Sequence, residues 1–314
     1  MRTIQHLTVT EDYSGQRLDN FLISRLKGLP KSRLYRIIRK GELRINKKRV
    51  KPDYRLRKGD VIRVPPLSLA HPPTKKKTLN EKQAKLLEKA IIFEDKHLLA
   101  INKPSGMAVH GGSGITLGVI EAFRLLRPQL KFLELAHRLD RETSGCLLMA
   151  KKRSILIELH ELLHSGDIEK TYTALVAGHW PQSLLNVEAP LCKNQLQSGE
   201  RMVRVQSEGK RSLTKFFTQH YYSDSTLVTA MPITGRTHQI RVHAQFVNHP
   251  IIGDEKYGNK EINKKMRQLG CNRLFLHARE LVFTLPSQGK TLTLQAKLPE
   301  DLDRFLNNLF PNAH

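Results

Sequence analysis

The stretch HRLDRETSG, residues 137–145, lies between two apolar runs of strand length, 132–135 and 146–150. Asp140 therefore falls in a loop between two segments that we expect to be buried, with two arginines near it. A carboxylate buried alone is driven toward its neutral form, whereas a fixed cation keeps it ionised. Position alone leaves two interpretations open: an ion-paired residue that steadies the turn, or a carboxylate that takes part in a reaction.

The composition indicates a basic protein that is long enough for two domains. The chain has 314 residues, and 53 Lys and Arg stand against 29 Asp and Glu, which gives a formal net charge of +24. Proteins this basic usually bind polyphosphate, most often nucleic acid; a solvated basic surface and an anionic membrane are the alternatives. Charge alone gives affinity and salt dependence but no choice of sequence.

Three further features predict a protein of the cytoplasm. No stretch approaches the roughly 18 uninterrupted apolar residues of a membrane-spanning helix. Residues 1–15 lack the apolar core of a secretion signal. Cys146, Cys192 and Cys271 are odd in number and form no CxxC pair, so we expect packing residues rather than disulfides or metal ligands.

Residues 17–64 have the pattern of a small module made of two helices followed by short strands. Apolar residues recur at helical spacing over 18–26 and 34–38, and one of the predicted strands continues through 49–51. Acidic residues are scarce on its basic side, which favours contact with phosphate over a merely soluble surface. The cations expected to bind RNA are Arg33, Arg36, Arg39, Lys40, Arg44, Lys47, Lys48 and Arg49.

Three short motifs in this module resemble, in their order, an S4-type RNA-binding domain. They are Arg17-Leu18-Asp19, Lys31-Ser32-Arg33 and Gly41-x-Leu43-x-Ile45-Asn46. The resemblance implies a small α/β RNA-binding domain over residues 1–65. A segment rich in proline and lysine follows, so we predict a linker over 66–84 and a second domain over 85–314.

Four more motifs stand in the larger part of the chain, and each has an ordinary structural explanation. They are NKPSGMAVH at 102–110, KTYTALV at 170–176, TGRTHQIRVH at 234–243 and RLFLHA at 273–278. Taken singly, they predict a turn, a strand with a half-buried Tyr172, a capped helix with an exposed Arg241, and another strand. Gly111, Gly112 and Gly114 are a candidate phosphate loop, but the P-loop and dinucleotide spacings are absent.

Together with HRLDRETSG, these motifs resemble, in the same order, those of the bacterial pseudouridine synthases that modify ribosomal and transfer RNA. The resemblance implies an α+β fold with a mixed, mostly antiparallel sheet. It also implies that Asp140 is the catalytic carboxylate, that Arg241 pairs with it, and that Tyr172 stacks on the target base. The residues it implicates in substrate binding are Arg138, which would fill the gap left by a flipped base, and the apolar Leu274 and Leu276. The sequence leaves open which of these two leucines faces the uracil pocket.

Within this family the chain is most similar to enzymes that modify 23S ribosomal RNA, through KGLPKS at 27–32 and LQSGER at 196–201. The implied reaction breaks the N1–C1′ bond of uridine, turns the uracil and joins C5 to C1′. The carboxylate either attacks C1′ or removes a proton from C2′, and the sequence leaves both open. Since no redox step or group donor takes part, we expect no cofactor and no metal. We also expect a monomer whose partner is 23S ribosomal RNA and not a membrane.

Two other classes of function are alternatives. The helix predicted over 154–164 contains His160-Glu161-Leu162-Leu163-His164, the HExxH pattern of zinc peptidases, but the extended spacing that would supply a third ligand is missing. Histidines on the surface of an amphipathic helix explain the pattern more simply. The other alternative is an RNA-binding ribosome-assembly protein built on an inactive synthase scaffold, which the presence of Asp140, Tyr172 and Arg241 disfavours.

Overall fold

The computed structural model of the chain describes residues 3–26, 28–67, 79–111, 117–195 and 201–309. The chain divides into two compact units. The first is Met1–Thr78 with Lys152–Ser154, and the second is Leu79–Lys151 with Ile155–His314. Over the described residues, no helix has the length and apolar character needed to cross a membrane.

The first unit is two helices on a small antiparallel sheet with the strand order β1-β3-β2. Its elements are β1 Gln5–Thr8, α1 Leu18–Arg25, α2 Lys31–Arg39, β2 Arg44–Ile45 and β3 Val61–Val64. The predicted helices are confirmed, and their apolar positions form the buried core of the unit. The sequence did not predict β1, because only Leu7 of its four residues, Gln-His-Leu-Thr, is apolar, and none of the four is fully buried.

The prediction that a strand continues through residues 49–51 is wrong. A two-residue turn at Asn46 and Lys47, both with positive φ, reverses the chain, and the pairing ends with an isolated bridge between Ile45 and Lys48. Asparagine tolerates this left-handed conformation, and the turn is of the kind that joins hairpin strands. The cations of this turn therefore stand at its tip.

The second unit is built on one ten-stranded sheet with a separate two-stranded hairpin, β10–β11. Its strands are β4 Ile91–Glu94, β5 Leu98–Lys103, β6 Glu134–Leu135, β7 Ser144–Ala150, β8 Glu169–Ala177, β9 Asn186–Glu188, β10 Leu191–Gln195, β11 Arg201–Val205, β12 Leu213–Tyr222, β13 Ser225–Pro232, β14 Leu276–Leu285 and β15 Lys290–Gln295. The main path runs β4-β5-β7-β14-β8-β13-β12-β9. Only β7 and β14 pair in parallel among these described strands, so the predicted mixed, mostly antiparallel sheet is confirmed.

Helices complete the second unit and bury the faces of this sheet. They are α3 Glu81–Lys89, α4 Val119–Leu126, α5 Arg153–Ser165, α6 Gln239–Phe246, α7 Lys260–Gln268 and α8 Glu300–Asn308. All seven residues of β7 are buried, which explains why its sequence is a continuous apolar run rather than an alternating one. This strand follows directly from the loop that carries Asp140.

Gly145 sits where β7 and β14 run side by side, paired with Ala278. Its φ is +114°, and a Cβ atom at this position would collide with the backbone of Ala278. Only glycine combines this backbone angle with so close an approach. The last residue of HRLDRETSG is therefore fixed by the sheet.

The predicted linker over 66–84 includes residues that belong to the two units. Leu67 is buried in the core of the first unit. Asn80 caps α3 by accepting a hydrogen bond from the backbone N–H of Gln83 at 2.8 Å, so α3 begins within the predicted interval. Residues 68–78, which hold most of the prolines and lysines of that segment, lie outside the described residues.

Candidate active site

A cavity of about 750 Å³ opens on the second unit beside the Asp140 loop. Its walls come from that loop, from β8, from the end of α5 and from the turn that leads from β13 into α6. Of the residues implicated by the sequence, those that line it are Arg138, Asp140, Tyr172, Arg241 and Leu276. Leu274 is buried in the hydrophobic core and is not among the described residues that line the cavity.

Asp140 and Arg241 meet in this cavity, as the resemblance implied. The Nη1 of Arg241 donates to Oδ2 of Asp140 at 3.3 Å. The side chain of Asp140 keeps 21% of its surface accessible, whereas that of Arg241 keeps 8%. The carboxylate is therefore open toward the cavity while the guanidinium behind it is enclosed.

Asp254 holds Arg241 from the other side. Nε and Nη2 of Arg241 donate to the two carboxylate oxygens of Asp254 at 2.7 and 2.8 Å, a bidentate pair with fixed geometry. The backbone N–H groups of Lys256 and Tyr257 also donate to Asp254. Burial by itself raises the pKa of Asp254, but these partners outweigh it, and the pKa is lower than usual. Arg241 is thus fixed with Nη1 aimed at Asp140.

Sequence reasoning missed Asp254. It follows Gly253 in IIGDEKYG, a turn without periodicity, and it is 13 residues from its partner. A buried acid needs a partner, but neither burial nor partner can be read from such a turn. The available signal was the lone Asp beside two glycines after an apolar run, which is weak evidence for a site.

Tyr172 lies in the middle of the sheet, between β13 and β14, opposite Ala230 and Ala278. The small alanines on both sides leave room beside its ring, which lines the cavity and is half-buried. Burial, with a smaller contribution from the charge of Asp140, raises the pKa of Tyr172. Its phenol is therefore protonated at neutral pH.

Gln239 and His243 explain the remaining polar positions of the α6 motif. Gln239 accepts from the Thr234 hydroxyl at 2.7 Å and from the Arg236 backbone N–H at 3.0 Å, and it donates to the backbone oxygen of Leu213. His243 is fully buried, within 2.9 Å of the Thr214 hydroxyl. These contacts fix the turn and the first turns of the helix, so Arg241 is presented by a rigid element.

The NKPSG motif is attached to the Asp140 loop. Lys103 is fully buried, and its Nζ donates to the backbone oxygens of Pro104, Met107 and Arg141 at 2.8, 2.9 and 3.1 Å. Burial lowers its pKa to about 7, while three carbonyl acceptors favour the charged form. The hydroxyl of Ser105 donates to the backbone oxygen of Glu142 at 2.6 Å. The predicted turn is thus a clamp that holds the loop.

Two histidines near the loop are structural and uncharged. Nδ1 of His277 lies 2.9 Å from the Ser144 hydroxyl and Nε2 lies 3.0 Å from the backbone oxygen of Ala296. His137 accepts from the backbone N–H of Leu148 at 3.1 Å. Burial lowers the pKa of each to about 4. Neither histidine carries charge into the site at neutral pH.

The zinc alternative finds no support in the described part of the chain. His160, Glu161 and His164 are exposed on α5. Among the described residues, no three His, Cys, Asp or Glu side chains are grouped so as to hold a metal ion. Two other sequence features, Gly112 with Gly114 and residues 196–200 of LQSGER, lie outside the described residues.

The cations predicted to bind RNA form a surface of the first unit, here called the basic face. Arg36, Arg39, Lys40 and Arg44 are exposed, as are the three cations at the hairpin turn, Lys47, Lys48 and Arg49. Arg33 is half-buried and has an interaction of its own. Seven of the eight predicted residues are therefore available to solvent and to a polyanion.

Two family models match the chain in the expected order. A model described as S4 domain matches residues 16–62, and one described as RNA pseudouridylate synthase matches residues 97–246. Two similar proteins carry the same description, ribosomal large subunit pseudouridine synthase C. The protein of Haemophilus influenzae is 52% identical over 98% of this chain and 95% of its own. That of Escherichia coli is 51% identical over 98% of this chain and 97% of its own.

Solved structures of two human proteins share the fold. RNA pseudouridylate synthase domain containing 4 superposes with a TM-score of 0.59 and 30% identity, over 73% of this chain and 97% of the human chain. RNA pseudouridylate synthase domain containing 1 has the same TM-score at 24% identity, over 71% and 88% of the two chains. The second likeness concerns the fold alone.

Proposed function

The chain belongs to the RNA pseudouridine synthase family, and we propose that it isomerises uridines of large-subunit (23S) ribosomal RNA to pseudouridine with Asp140 as the catalytic carboxylate. The main support for ribosomal RNA as the substrate is similarity to a protein described as a ribosomal large subunit pseudouridine synthase. The two proteins are 52% identical over nearly the whole of both chains. The position of Asp140, open to the cavity and held by Arg241, supports its role.

The reaction is an isomerisation in which every atom of the uridine is kept. The N1–C1′ bond breaks, the uracil turns, C5 bonds to C1′, and the proton on C5 is lost while N1 gains one. Asp140 either attacks C1′ as a nucleophile or accepts the C2′ proton as a base, and both roles need the carboxylate form. The target uridine must leave its stack to reach the cavity, at a cost of a few kcal/mol.

Arg241 and Asp254 would hold the Asp140 carboxylate in the orientation and charge state that the reaction needs. The Nη1 donor of Arg241 orients Asp140 and stabilises its negative charge within an enclosed site. Asp254 accepts from the other two nitrogens of the guanidinium, Nε and Nη2, so little reorganisation is needed when charge moves during the reaction. We assign Asp254 as a positioning residue that acts through Arg241.

Tyr172 supplies a flat face for the uracil ring, and Leu276 an apolar wall of the cavity. A stacked base gains roughly 1–3 kcal/mol on an aromatic ring. Since a phenol is protonated at neutral pH even at its ordinary pKa, we propose stacking, and not acceptance of the C5 proton, as the role of Tyr172. Arg138 is exposed and lines the cavity, which supports the proposal that its side chain fills the space that the flipped uridine leaves in the RNA.

The basic face would bind ribosomal RNA without regard to sequence, since exposed cations contact phosphates and not base edges. The proposal extends to a monomer that works in the cytoplasm without a small-molecule cofactor or membrane attachment. Gel filtration with light scattering tests the first of these expectations, and full activity of a purified, chelator-treated protein tests the absence of a metal requirement.

The deciding experiment is a pseudouridine map of unmodified 23S ribosomal RNA after incubation with the protein or with Asp140→Asn. We expect new pseudouridines with the unaltered protein and a loss of at least about a thousandfold in rate with Asp140→Asn, because the amide cannot serve as nucleophile or base. Glu142→Gln, an exposed carboxylate of the same loop, is the matched control and should retain activity. No product from either protein would favour the ribosome-assembly alternative, and full activity of Asp140→Asn would remove Asp140 from the mechanism.

A further inference from the structure

His238 has a backbone conformation that histidine rarely adopts. It precedes the first residue of α6 with φ 56° and ψ 16°, in the left-handed region. For a residue with a Cβ atom this conformation costs roughly 1 kcal/mol or more, and such outliers persist where the surroundings enforce them, often at functional sites. In this conformation the imidazole lies in the wall of the cavity, next to Asp140.

The hydroxyl of Tyr257 lies against Nδ1 of His238, where it can set the tautomer of the imidazole. The phenolic oxygen of Tyr257 accepts a hydrogen bond from the backbone N–H of Val203 at 3.0 Å and lies 2.7 Å from Nδ1 of His238. Since that oxygen already accepts one hydrogen bond, its own hydrogen is free to donate to Nδ1. The proton of the neutral imidazole then sits on Nε2, the nitrogen that faces Asp140.

The imidazole is neutral at working pH. Burial lowers the pKa of His238, and the neighbouring charge of Arg241 lowers it further, against an opposing effect of Asp140. The ring packs edge-on against Tyr257, with centroids 5.5 Å apart, and the guanidinium carbon of Arg241 lies over the Tyr257 ring, 5.0 Å from its centroid. His238 is therefore held as an oriented N–H donor, not as a mobile cation.

One more oxygen atom can bridge His238 and Asp140. Nε2 of His238 lies 3.7 Å from Oδ2 of Asp140, too far for a direct hydrogen bond. A hydroxyl oxygen that lies to one side of the line joining these two atoms, roughly 2.8 Å from each, can accept from Nε2–H and donate to Oδ2. If Asp140 works at C1′ or C2′ of the target nucleotide, the hydroxyl that comes to this point is the one on C2′.

We propose that His238 is a specificity-determining residue that donates Nε2–H to the 2′-hydroxyl of the target uridine and so selects ribonucleotide over deoxyribonucleotide. This inference rests on the proposed function, because it uses Asp140 to locate the ribose. Tyr257 serves it by holding the tautomer. A hydrogen bond to a substrate hydroxyl is the kind of contact that gives strong discrimination, since its loss leaves an oriented donor unpaired.

The test compares two short RNAs that contain a mapped target site, with uridine or 2′-deoxyuridine at that one position. His238→Asn suits the purpose, because asparagine tolerates the left-handed backbone but is too short to reach the ribose. We expect the unaltered protein to prefer uridine in kcat/KM. We expect His238→Asn to lose roughly ten- to a hundredfold on the uridine substrate and much less on the deoxyuridine substrate. Tyr257→Phe should weaken the preference in the same direction.

His160→Asn, an exposed histidine of α5 outside the cavity lining, is the control and should leave the preference unchanged; melting temperatures of all variants report folding. Equal losses by His238→Asn on both substrates would mean a structural role and would overturn the inference. So would an unaltered protein that does not distinguish the two RNAs. Absence of product from uridine RNA with the unaltered protein would instead overturn the proposed function.

Discussion

Arginine side chains are exposed on the basic face of the first unit but buried and ion-paired in the cavity of the second unit, and the two arrangements have different effects. On the basic face, Arg36 and Arg39 reach into solvent from one side of α2. In the cavity, Arg241 is buried, and three of its nitrogens are committed to Asp254 and Asp140. The first arrangement provides affinity that adds up charge by charge and falls with salt, whereas the second provides a fixed geometry. The difference predicts which substitutions act singly and which act only in groups.

The largest effect in this comparison is expected from Asp254→Asn. The amide nitrogen would face Nε or Nη2 of Arg241, so one donor of the bidentate pair is lost and Nη1 is no longer held toward Asp140. We expect kcat to fall roughly a hundredfold, about 3 kcal/mol, with little change in KM for RNA. Single-turnover rates at saturating RNA measure this, and Glu255→Gln, its exposed neighbour, is the matched control.

A double variant separates positioning from general damage. If Asp254 acts through Arg241, the variant Asp254→Asn with Arg241→Ala should be no slower than Arg241→Ala alone, since both changes remove one interaction. Independent, additive losses would contradict that account. The pair is buried, so thermal melting must accompany the kinetics, and Asp254→Glu should recover part of the rate.

The second largest effect is expected on the pH dependence of stability, through a buried histidine of the second unit. The folded second unit keeps His277 neutral with a pKa of about 4, whereas the unfolded chain takes up a proton near pH 6.5. The unfolded state therefore binds more protons below that pH, and the free energy of unfolding falls as the pH is lowered from 7 to 5. The part due to His277 is about 2 kcal/mol, and His137 acts in the same direction.

Urea unfolding followed by tryptophan fluorescence measures this effect. The single tryptophan, Trp180, is buried in the core of the second unit and reports on that unit. His277→Asn should lose the corresponding share of the pH dependence, whatever it does to stability at pH 7. His160→Asn should keep the full dependence of the unaltered protein. A variant at position 277 with an unchanged dependence would show that its ionisation is not linked to unfolding.

The smallest effect per residue is expected on the basic face. Replacing Arg36, Arg39 and Lys40 together by glutamine should weaken RNA binding about a hundredfold near 0.1 M salt and reduce the slope of log affinity against log salt by about 2. The rate at saturating RNA should not change, because no group of the cavity is altered. Filter binding over a salt series measures the affinity.

A matched triple substitution in the second unit tests whether RNA affinity depends on the position of the cations or only on the net charge of the protein. Lys260, Lys264 and Lys265 are exposed cations of α7 in the second unit, and their replacement by glutamine removes the same charge. A smaller loss of affinity than on the basic face is expected. An equal loss would mean that net charge, not this surface, governs binding.

The same contrast explains how much the sequence could predict. Helices and strands follow from local spacing, and most of those predicted are confirmed. The basic face follows from charge, and its cations are exposed as expected, while their contact with RNA stays a prediction. The partner of Arg241 was beyond reach, because the pairing with Asp254 depends on how a turn folds back on α6. The choice between Leu274 and Leu276 also needed the structure. An unbroken strand would point both side chains to the same face, but β14 begins only at Leu276, which lines the cavity, while Leu274 precedes the strand and is buried in the core.

The clamp on the Asp140 loop has a consequence for how uridines are chosen. Lys103 and Ser105 tie the residues after Asp140 to the neighbouring turn, and Gly145 joins them to β14 without space for a methyl group. At the start of the loop, His137 accepts a hydrogen bond from the backbone N–H of Leu148. Because the loop is anchored at both ends, we expect the RNA, and not the loop, to make the movement that brings the two together. Selection would then include a mechanical criterion: among uridines of equal sequence context, we expect those whose backbone bends out at the lowest cost to be modified first.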